Sequence, residues 1–323
     1  MTSSIPTLSH PLLINGKSHI PPPSISSFNS EFTGILPKGT SIPSSWGTTR
    51  YYDFSPSSPP TSRRVILLHG NGSGAISMAP LALALTAAGN HVVAYDMWGN
   101  GLSSSPLTAH TPALAHFQLL ELLSHLKWET ANLIGMLLGG STVATFTAIH
   151  LSAVESLIVL APGGLWRMSE MPWYERVLFN GGWGREWLLR KAIIGYINRP
   201  NTEPQPSWKE TLKEGKVDIT AVNNFNQKNH AGHFASVVSA SVYGGVMDQH
   251  ELFGQLPTSG VEVLVVLGEK DTIIDAKSTK RELEKLKWKG EIETIAGAEH
   301  SLARVNAEEV AGLVIKFWDG LKS

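Results

Sequence analysis

Ala131-Asn132-Leu133-Ile134-Gly135-Met136-Leu137-Leu138-Gly139-Gly140-Ser141-Thr142 is the stretch from which the chain is best read. It begins as a short apolar run suited to a buried strand and passes through small residues suited to a tight turn. Residues 141–150 then contain no Gly or Pro and suit a helix. This is the outline of a nucleophile elbow, Gly-x-Ser-x-Gly, in which a strained strand-to-helix turn pushes one side chain into a site and the flanking glycines remove the clashes. The central position here is Leu137. A leucine has no lone pair to attack with, so the question becomes what such a site does without a nucleophile.

On both sides of this stretch, strand and helix signals alternate. A strand is expected at 48–54. A β-branched and aliphatic run, Arg64-Val65-Ile66-Leu67-Leu68, then has the pattern of a strand covered on both faces in a parallel sheet. It ends in His69-Gly70-Asn71-Gly72-Ser73-Gly74 and is followed by a helix through 81–88. The next strand, 91–95, ends in Asp96-Met97-Trp98-Gly99-Asn100-Gly101-Leu102-Ser103. Residues 111–126 place Leu114, Phe117, Leu119, Leu120, Leu122, Leu123 and Leu126 at helical spacing. After the elbow come strands at 157–160, 261–267 and 291–295 and helices near 276–286 and 307–321. This alternation predicts a mostly parallel central sheet with helices on both faces, with ligands at the carboxyl ends of the strands. Strand signals disappear between 163 and 254. Helical segments at 173–179 and 187–197 alternate there with breakers at Gly181-Gly182, Pro200 and 204–206, the pattern of an inserted helical lid. Residues 1–47, rich in Ser and Pro, read as an extended N-terminal arm. The expected division is therefore arm 1–47, core 48–162 and 255–323, and lid 163–254.

Composition narrows the function. With 323 residues, 42% of them hydrophobic and 16% charged, the chain can bury a large core, and its net charge of −1 gives no case for nucleic acid or an anionic membrane surface. The absence of cysteine excludes disulfides, thiolate metal sites and cysteine nucleophiles together. No segment has the length and apolarity of a membrane span, and residues 1–16 lack the basic start and unbroken apolar run of a signal peptide, so a cytoplasmic location is expected. No residue pattern calls for a cofactor or a metal, and nothing selects an oligomeric state. A small, apolar substrate is the expected partner. Five of the ten tryptophans, Trp166, Trp173, Trp183, Trp187 and Trp208, fall in one region.

Two further residues join the elbow. Asp271 follows the strand 261–267 after Gly268-Glu269-Lys270, and His300 follows the strand 291–295 after Ala296-Gly297-Ala298-Glu299. Both lie at strand ends, like the elbow, and the pair is expected to form a hydrogen-bonded dyad. The carboxylate would hold the imidazole in one tautomer and stabilise the imidazolium once it takes a proton.

Rival readings are weaker. Gly70-x-Gly72-x-Gly74 with Asp96 downstream suggests a dinucleotide fingerprint, but its spacing is not Gly-x-Gly-x-x-Gly. His230-x-x-His233 suggests metal ligands, but no third ligand is evident, so a lid surface or lining role is expected. The sequon Asn71-Gly72-Ser73 lies inside a turn at a candidate site. Ser141 falls past the elbow turn and is expected to point away from its apex.

Together, His69-Gly70 after the first central strand, Asp96-x-x-Gly99-x-Gly101-x-Ser103, the turn from Gly135 to Gly140, Asp271 and His300 resemble the α/β-hydrolase fold family, over about residue 48 to the end. The resemblance implies that the elbow, Asp271 and His300 take the triad positions in the family's chain order, and that the backbone N–H groups of Asn71 and Leu138 are the oxyanion donors. Backbone donors survive a side-chain change, so Leu137 leaves the oxyanion hole in place and removes only the nucleophile. Trp98 and Trp166, each just past a strand end, and Met136 beside the elbow apex are the expected substrate contacts.

Losing the nucleophile typically costs a serine hydrolase roughly a millionfold in turnover. A held histidine base, two backbone donors and an apolar pocket suit proton abstraction next to a carbonyl instead. Glu31-Phe32-Thr33-Gly34, the run 41–52 and the stretch 96–103 look like those of fungal α/β-hydrolase-like proteins, and the elbow leucine is similar to that of hydrolase-like members of cytochalasan pathways. That resemblance implies an intramolecular Knoevenagel condensation of a polyketide–amino-acid aldehyde to a pyrrolone. The alternatives are a catalytically inactive ligand-binding protein and a slow hydrolase in which His300 activates water.

Overall fold

The computed structural model describes residues 18–55, 63–173, 176 and 203–321. Eight strands form the central sheet: β2 (Thr40–Ser44), β3 (Gly47–Phe54), β4 (Arg64–Leu68), β5 (His91–Tyr95), β7 (Ala131–Leu137), β8 (Val154–Pro162), β9 (Glu262–Gly268) and β10 (Glu291–Ile295). Their spatial order is β10-β9-β8-β7-β4-β5-β3-β2. The six strands from β10 to β5 run parallel, whereas β3 pairs antiparallel with both β5 and β2. A separate short ribbon pairs β1 (His19–Ile20) with β6 (Ser105–Pro106).

Successive side chains of a strand face opposite sides of the sheet, and here both sides are covered. Val65, Leu67, Ile134, Ile158, Leu264 and Val266 pack on one face under α2 (Ala79–Ala87) and α11 (Ala307–Gly320). Ile66, Leu68, Leu133, Leu157, Val265 and Leu267 pack on the other against α3 (Pro112–Leu126), α4 (Leu138–Ile149) and α9 (Ala276–Lys285). This two-sided burial is why the strands read as unbroken apolar runs.

The N-terminal segment departs from the extended arm expected of it. Within its described part lies the helix α1 (Ile25–Glu31), capped by Ser24, and its Phe28 joins Phe32 and Ile35 in the core. Phe28 and Phe32 meet Phe225 with ring centroids 5.3 and 5.6 Å apart, and Phe32 meets Trp208 at 5.5 Å. A buried aromatic cluster decides the conformation here, over the Ser/Pro-rich composition.

Between β8 and β9, the described residues form α5 (Trp208–Lys213), α6 (Ile219–Asn229), α7 (His233–Tyr243) and α8 (His250–Phe253), with an isolated bridge from Trp166 to Met247. The expected helix at 187–197, most of the one at 173–179, the breakers Gly181-Gly182 and Pro200, and Trp183 and Trp187 lie outside the described residues. The short helix α10 (Leu302–Val305) and the longer α11 follow β10.

Candidate active site

The parallel strands β7, β9 and β10 end on one edge of the sheet, and each carries a candidate residue there. At the end of β7, Leu137 has φ 51° and ψ −110°, a backbone conformation an L residue with a side chain adopts only under strain. Its surroundings hold it there. The N–H of Gly163 donates to the Leu137 carbonyl at 2.9 Å, the register against β8 shifts between Met136 and Leu137, and α4 begins at the next residue. The glycines let the turn close, because a Cβ at Gly135 would lie 2.2 Å from the Gly139 carbonyl oxygen, and one at Gly139 would lie 2.5 Å from that of Leu68. The Leu137 side chain is half-buried and lies over the Gly70 backbone, where a built Cβ would be 3.4 Å from the leucine Cβ. Met136 and Leu137 pack against the core cluster that contains Ile274 and Leu302.

Beyond β9 and β10, His300 Nδ1 lies 2.8 Å from Asp271 Oδ2, and the N–H groups of Ile273 and Ile274 both donate to Asp271 Oδ1 at 2.8 Å. The Asp271 side chain is fully buried, while the imidazole is 18% exposed. Burial pushes the carboxyl pKa upward, but the His300 ring and the two backbone donors outweigh it, and the group titrates below the ordinary carboxylate range. An ionised Asp271 holds the proton on Nδ1 and leaves Nε2 as the lone pair able to accept one.

The turn after β4 is braced from several directions. His69 Nε2 accepts the Met97 N–H at 2.9 Å, so its proton sits on Nδ1 and is donated to the Gly70 carbonyl at 2.6 Å. Burial lowers the His69 pKa to about 4, so the ring is neutral at pH 7. Asp96 Oδ1 accepts from the Ala75 N–H at 2.7 Å, and Oδ2 accepts from the Leu102 N–H at 2.8 Å and the Tyr52 hydroxyl at 3.2 Å. Burial raises the Asp96 pKa to about 6 against the opposing pull of these donors. Asn71 donates its side-chain N–H groups to the Val237 carbonyl and Ser241 Oγ, both at 3.0 Å, and Asn226 Nδ2 donates to the Gly72 carbonyl at 3.1 Å. The backbone N–H groups of Asn71 and Leu138 have no hydrogen-bond partner among the described residues. That of Leu138 opens α4, where the first N–H groups of a helix lack internal acceptors and the helix dipole favours negative charge.

A family model described as alpha/beta hydrolase fold matches residues 63–306, a span that begins before β4 and includes the elbow, Asp271 and His300. The chain belongs to the α/β-hydrolase fold family. It is 23% identical over 263 residues to a Synechocystis protein named "Putative non-heme chloroperoxidase", covering 78% of this chain and 90% of that one. Among solved structures it is similar to a bromoperoxidase from Bacillus anthracis, with TM-score 0.65, 17% identity and coverage of 87% of this chain and 100% of the other. It is also similar to naproxen esterase from Bacillus subtilis, with TM-score 0.63, 19% identity and coverage of 91% and 96%.

Beside the elbow of this α/β-hydrolase-fold protein lies a small, partly open cleft. Leu138 and Thr142 of α4 form one wall, Leu114 and Gln118 of α3 another, and Trp98 also lines it. Trp98, 3% exposed, is the one expected substrate contact in its lining. Met136 is held in the core cluster, and Trp166, 36% exposed, stands apart at its bridge to Met247. Ser141 donates to the Gly245 carbonyl at 2.5 Å, which occupies its hydroxyl away from the apex.

His230 and His233 correct the surface or lining role expected of them. Both are buried, and they bond the carbonyls of Ser103 and Gly99 at 2.8 Å each, joining α6 and α7 to the loop after β5. Sequence reasoning passed over Gln118 and Asn100, which organise that loop. Gln118 accepts from the Trp98 N–H and donates to the Asp96 carbonyl, while Asn100 Oδ1 accepts from the Gly72 N–H. Their signal is tertiary, since the partners lie 20 to 28 residues away in sequence. Among the described residues no group of three or more His, Cys, Asp or Glu could hold a metal ion, and no helix is long and apolar enough to cross a membrane.

Proposed function

We propose that this α/β-hydrolase-fold protein is a non-hydrolytic acid–base catalyst. In this reading His300, held by Asp271, removes a proton from a carbon next to a carbonyl, and the N–H groups of Asn71 and Leu138 receive the charge that develops on oxygen. The observation that carries it is the pairing of an intact dyad, 2.8 Å from Nδ1 to Oδ2, with a strained elbow whose apex is a leucine. The names of its relatives point to hydrolysis or peroxidase-type chemistry. Hydrolysis through an acyl-enzyme needs a nucleophile that Leu137 does not supply, whereas enolate chemistry needs none.

The specific reaction we propose is the intramolecular Knoevenagel condensation of a polyketide–amino-acid aldehyde in fungal secondary metabolism, with the segment between β8 and β9 acting as a lid. His300 Nε2 takes the proton from the carbon between the ketone and amide carbonyls. The enolate carbon attacks the aldehyde, forming the C–C bond, and the resulting alkoxide takes up a proton. Loss of one water then gives the C=C bond of a pyrrolone.

Conversion of a β-keto-amide aldehyde surrogate, followed by mass spectrometry for loss of water with the uncatalysed rate subtracted, tests this. The parent is expected to accelerate the reaction, and His300→Ala to lose on the order of 10²- to 10⁴-fold of that acceleration. Equal rates with and without His300 would overturn the reading. His300-dependent cleavage of activated esters without condensation would replace it by water activation.

A further inference from the structure

The helices α6 and α7 are tied to both sides of the candidate site, through side chains with no part in the proposed proton transfer. On the oxyanion side, Asn226 of α6 is fully buried and its Nδ2 donates to the Gly72 carbonyl at 3.1 Å. From α7, the Val237 carbonyl and Ser241 Oγ accept the Asn71 side-chain N–H groups, both at 3.0 Å. The residue whose backbone N–H is a proposed oxyanion donor is therefore held by its own side chain to a helix 166 to 170 residues away in sequence. On the dyad side the link is Arg304 of α10. Its Nη1 donates to the Val217 carbonyl and its Nη2 to Ser301 Oγ, each at 2.9 Å. Ser301 follows His300 directly, and its carbonyl accepts the N–H groups of Arg304 and Val305 at 3.1 and 2.8 Å, so the guanidinium is fixed to the turn that carries the imidazole.

Val217 is equally fixed to α6. It is buried and precedes Asp218, whose Oδ1 caps that helix by accepting the N–H groups of Thr220 and Ala221 at 2.8 and 3.2 Å. The turn from α6 to α7 is short and is closed by the His233 N–H, which donates to the His230 carbonyl at 3.0 Å. The two sides of the site hang on loops after β4 and β10, and in the order β10-β9-β8-β7-β4 three strands stand between them. The helix pair spans that gap. Spacing matters to a base that works with separate oxyanion donors, because a misplacement of about 1 Å costs on the order of 10²-fold in rate. We infer that α6 and α7 set the spacing between His300 and the oxyanion turn, with Arg304 and Asn226 as positioning residues at the two ends. The inference rests on the base-catalysis reading for the roles of those ends. Each residue acts through a neighbour, Arg304 on the turn that carries His300 and Asn226 on the Gly72 peptide beside Asn71.

The experiment is a double-mutant cycle in the full chain with Arg304→Met and Asn226→Leu, which keep most of the side-chain volume and delete the hydrogen bonds. With the β-keto-amide aldehyde surrogate, each single variant is expected to lose about tenfold in kcat, with KM within about twofold of the parent. The double variant is expected to lose about tenfold as well, because either cut already frees the two ends from each other. Arg304→Lys, which can still reach one of the two acceptors, is expected to recover part of the loss in kcat. A second readout needs no turnover. NMR follows the His300 Nδ1–H proton, assigned by its loss in His300→Ala, and the Asn71 amide in the 15N-asparagine-labelled chain, assigned by its loss in Asn71→Gly. Each resonance is expected to shift in the variant at the far end as well as in the near one. Should Asn226→Leu fail to fold, Ser241→Ala replaces it, since it removes one of the two acceptors that hold Asn71. Losses that multiply to about a hundredfold in the double variant, or resonances that move only in the variant of their own side, overturn the inference. Crosswise shifts with no turnover of the surrogate by the parent fail the proposed reaction and keep the inference. Turnover without crosswise shifts does the reverse.

Discussion

The two halves of the site are built by opposite means. On the elbow half, backbone conformation carries the design, with Leu137 at φ 51°, glycines where any Cβ would strike a carbonyl oxygen, and a side chain at the apex with no chemistry of its own. On the dyad half, side-chain chemistry carries it, with a buried carboxylate that spends one oxygen on two backbone N–H groups and the other on His300. The elbow geometry costs about 1–3 kcal/mol wherever it occurs, and without a nucleophile it contributes only a donor and a shape. A geometry retained at that cost is informative about what the site still does.

The sharpest way to break the comparison is Asp271→Asn. The amide keeps the volume and can still meet Nδ1, but it removes the charge and permits the wrong imidazole tautomer. Turnover of the aldehyde surrogate is expected to fall on the order of 10²-fold or more, but no further than in His300→Ala. Unchanged turnover would make the dyad a structural pair. On the elbow half, Gly139→Ala places a methyl group 2.5 Å from the Leu68 carbonyl oxygen and 2.6 Å from that of His69. Both obstacles are backbone, so the turn must move, and chemical denaturation is expected to show a loss of about 3 kcal/mol or failure to fold. A stable variant would mean that the turn is looser than its geometry implies.

Legibility in the sequence follows the same division. β4, β5 and β10 are legible to the residue and β3, β8 and β9 to within three residues, because burial in the sheet writes itself as an apolar run, whereas the edge strand β2, largely exposed, is hidden in the Ser- and Pro-rich stretch read as an arm. The elbow was legible because close backbone approach demands glycine. Asp271 and His300 were legible as positions at strand ends, although their 2.8 Å bond was not. The helix α1 was missed. Phe28 and Phe32 stand four residues apart, as on one helical face, but they lie in a Ser- and Pro-rich background, and the cluster that fixes them comes from Trp208 and Phe225. The roles of His230 and His233 were hidden for a related reason, since their acceptors lie 127 and 134 residues away.

These two histidines tie the loop after β5 to α6 and α7, and acid should loosen that link. Burial lowers the His233 pKa to about 4, with the Gly99 carbonyl bond opposing the shift and His230 and His69 adding to it. Below about pH 6.5 the unfolded chain takes up a proton that the folded chain refuses until about pH 4. The contribution of neutral His233 is therefore fully present above that range and is lost as pH falls through it. His69 and His116 move the same way, while Asp96, raised to about 6 by burial, partly offsets them because the folded state holds its proton longer. The melting temperature is expected to fall between pH 7 and pH 5. His233→Asn keeps an N–H for the Gly99 carbonyl and removes the titration, and should make that fall shallower by roughly 2 kcal/mol of stability. An identical pH profile would place the acid sensitivity elsewhere.

The smallest change in stability asks the most of the elbow. Leu137→Ser removes a half-buried side chain at a cost of about 1–2 kcal/mol and puts a hydroxyl at the apex. Every other part of a hydrolase site would then be in place, with the neighbouring N–H groups of Asn71 and Leu138 free and His300 held by Asp271. The variant is expected to gain hydrolysis of activated esters that the parent lacks, measured by release of a chromogenic alcohol, and to form an acyl-enzyme visible as a mass increase. Gain of that adduct, with loss of aldehyde condensation, would show that the two halves remain aligned and that the leucine sets the choice between enolate and acyl chemistry. No adduct from a folded variant would mean that the apex and His300 are out of register. The parent's chemistry would then have to run on the dyad without help from the elbow.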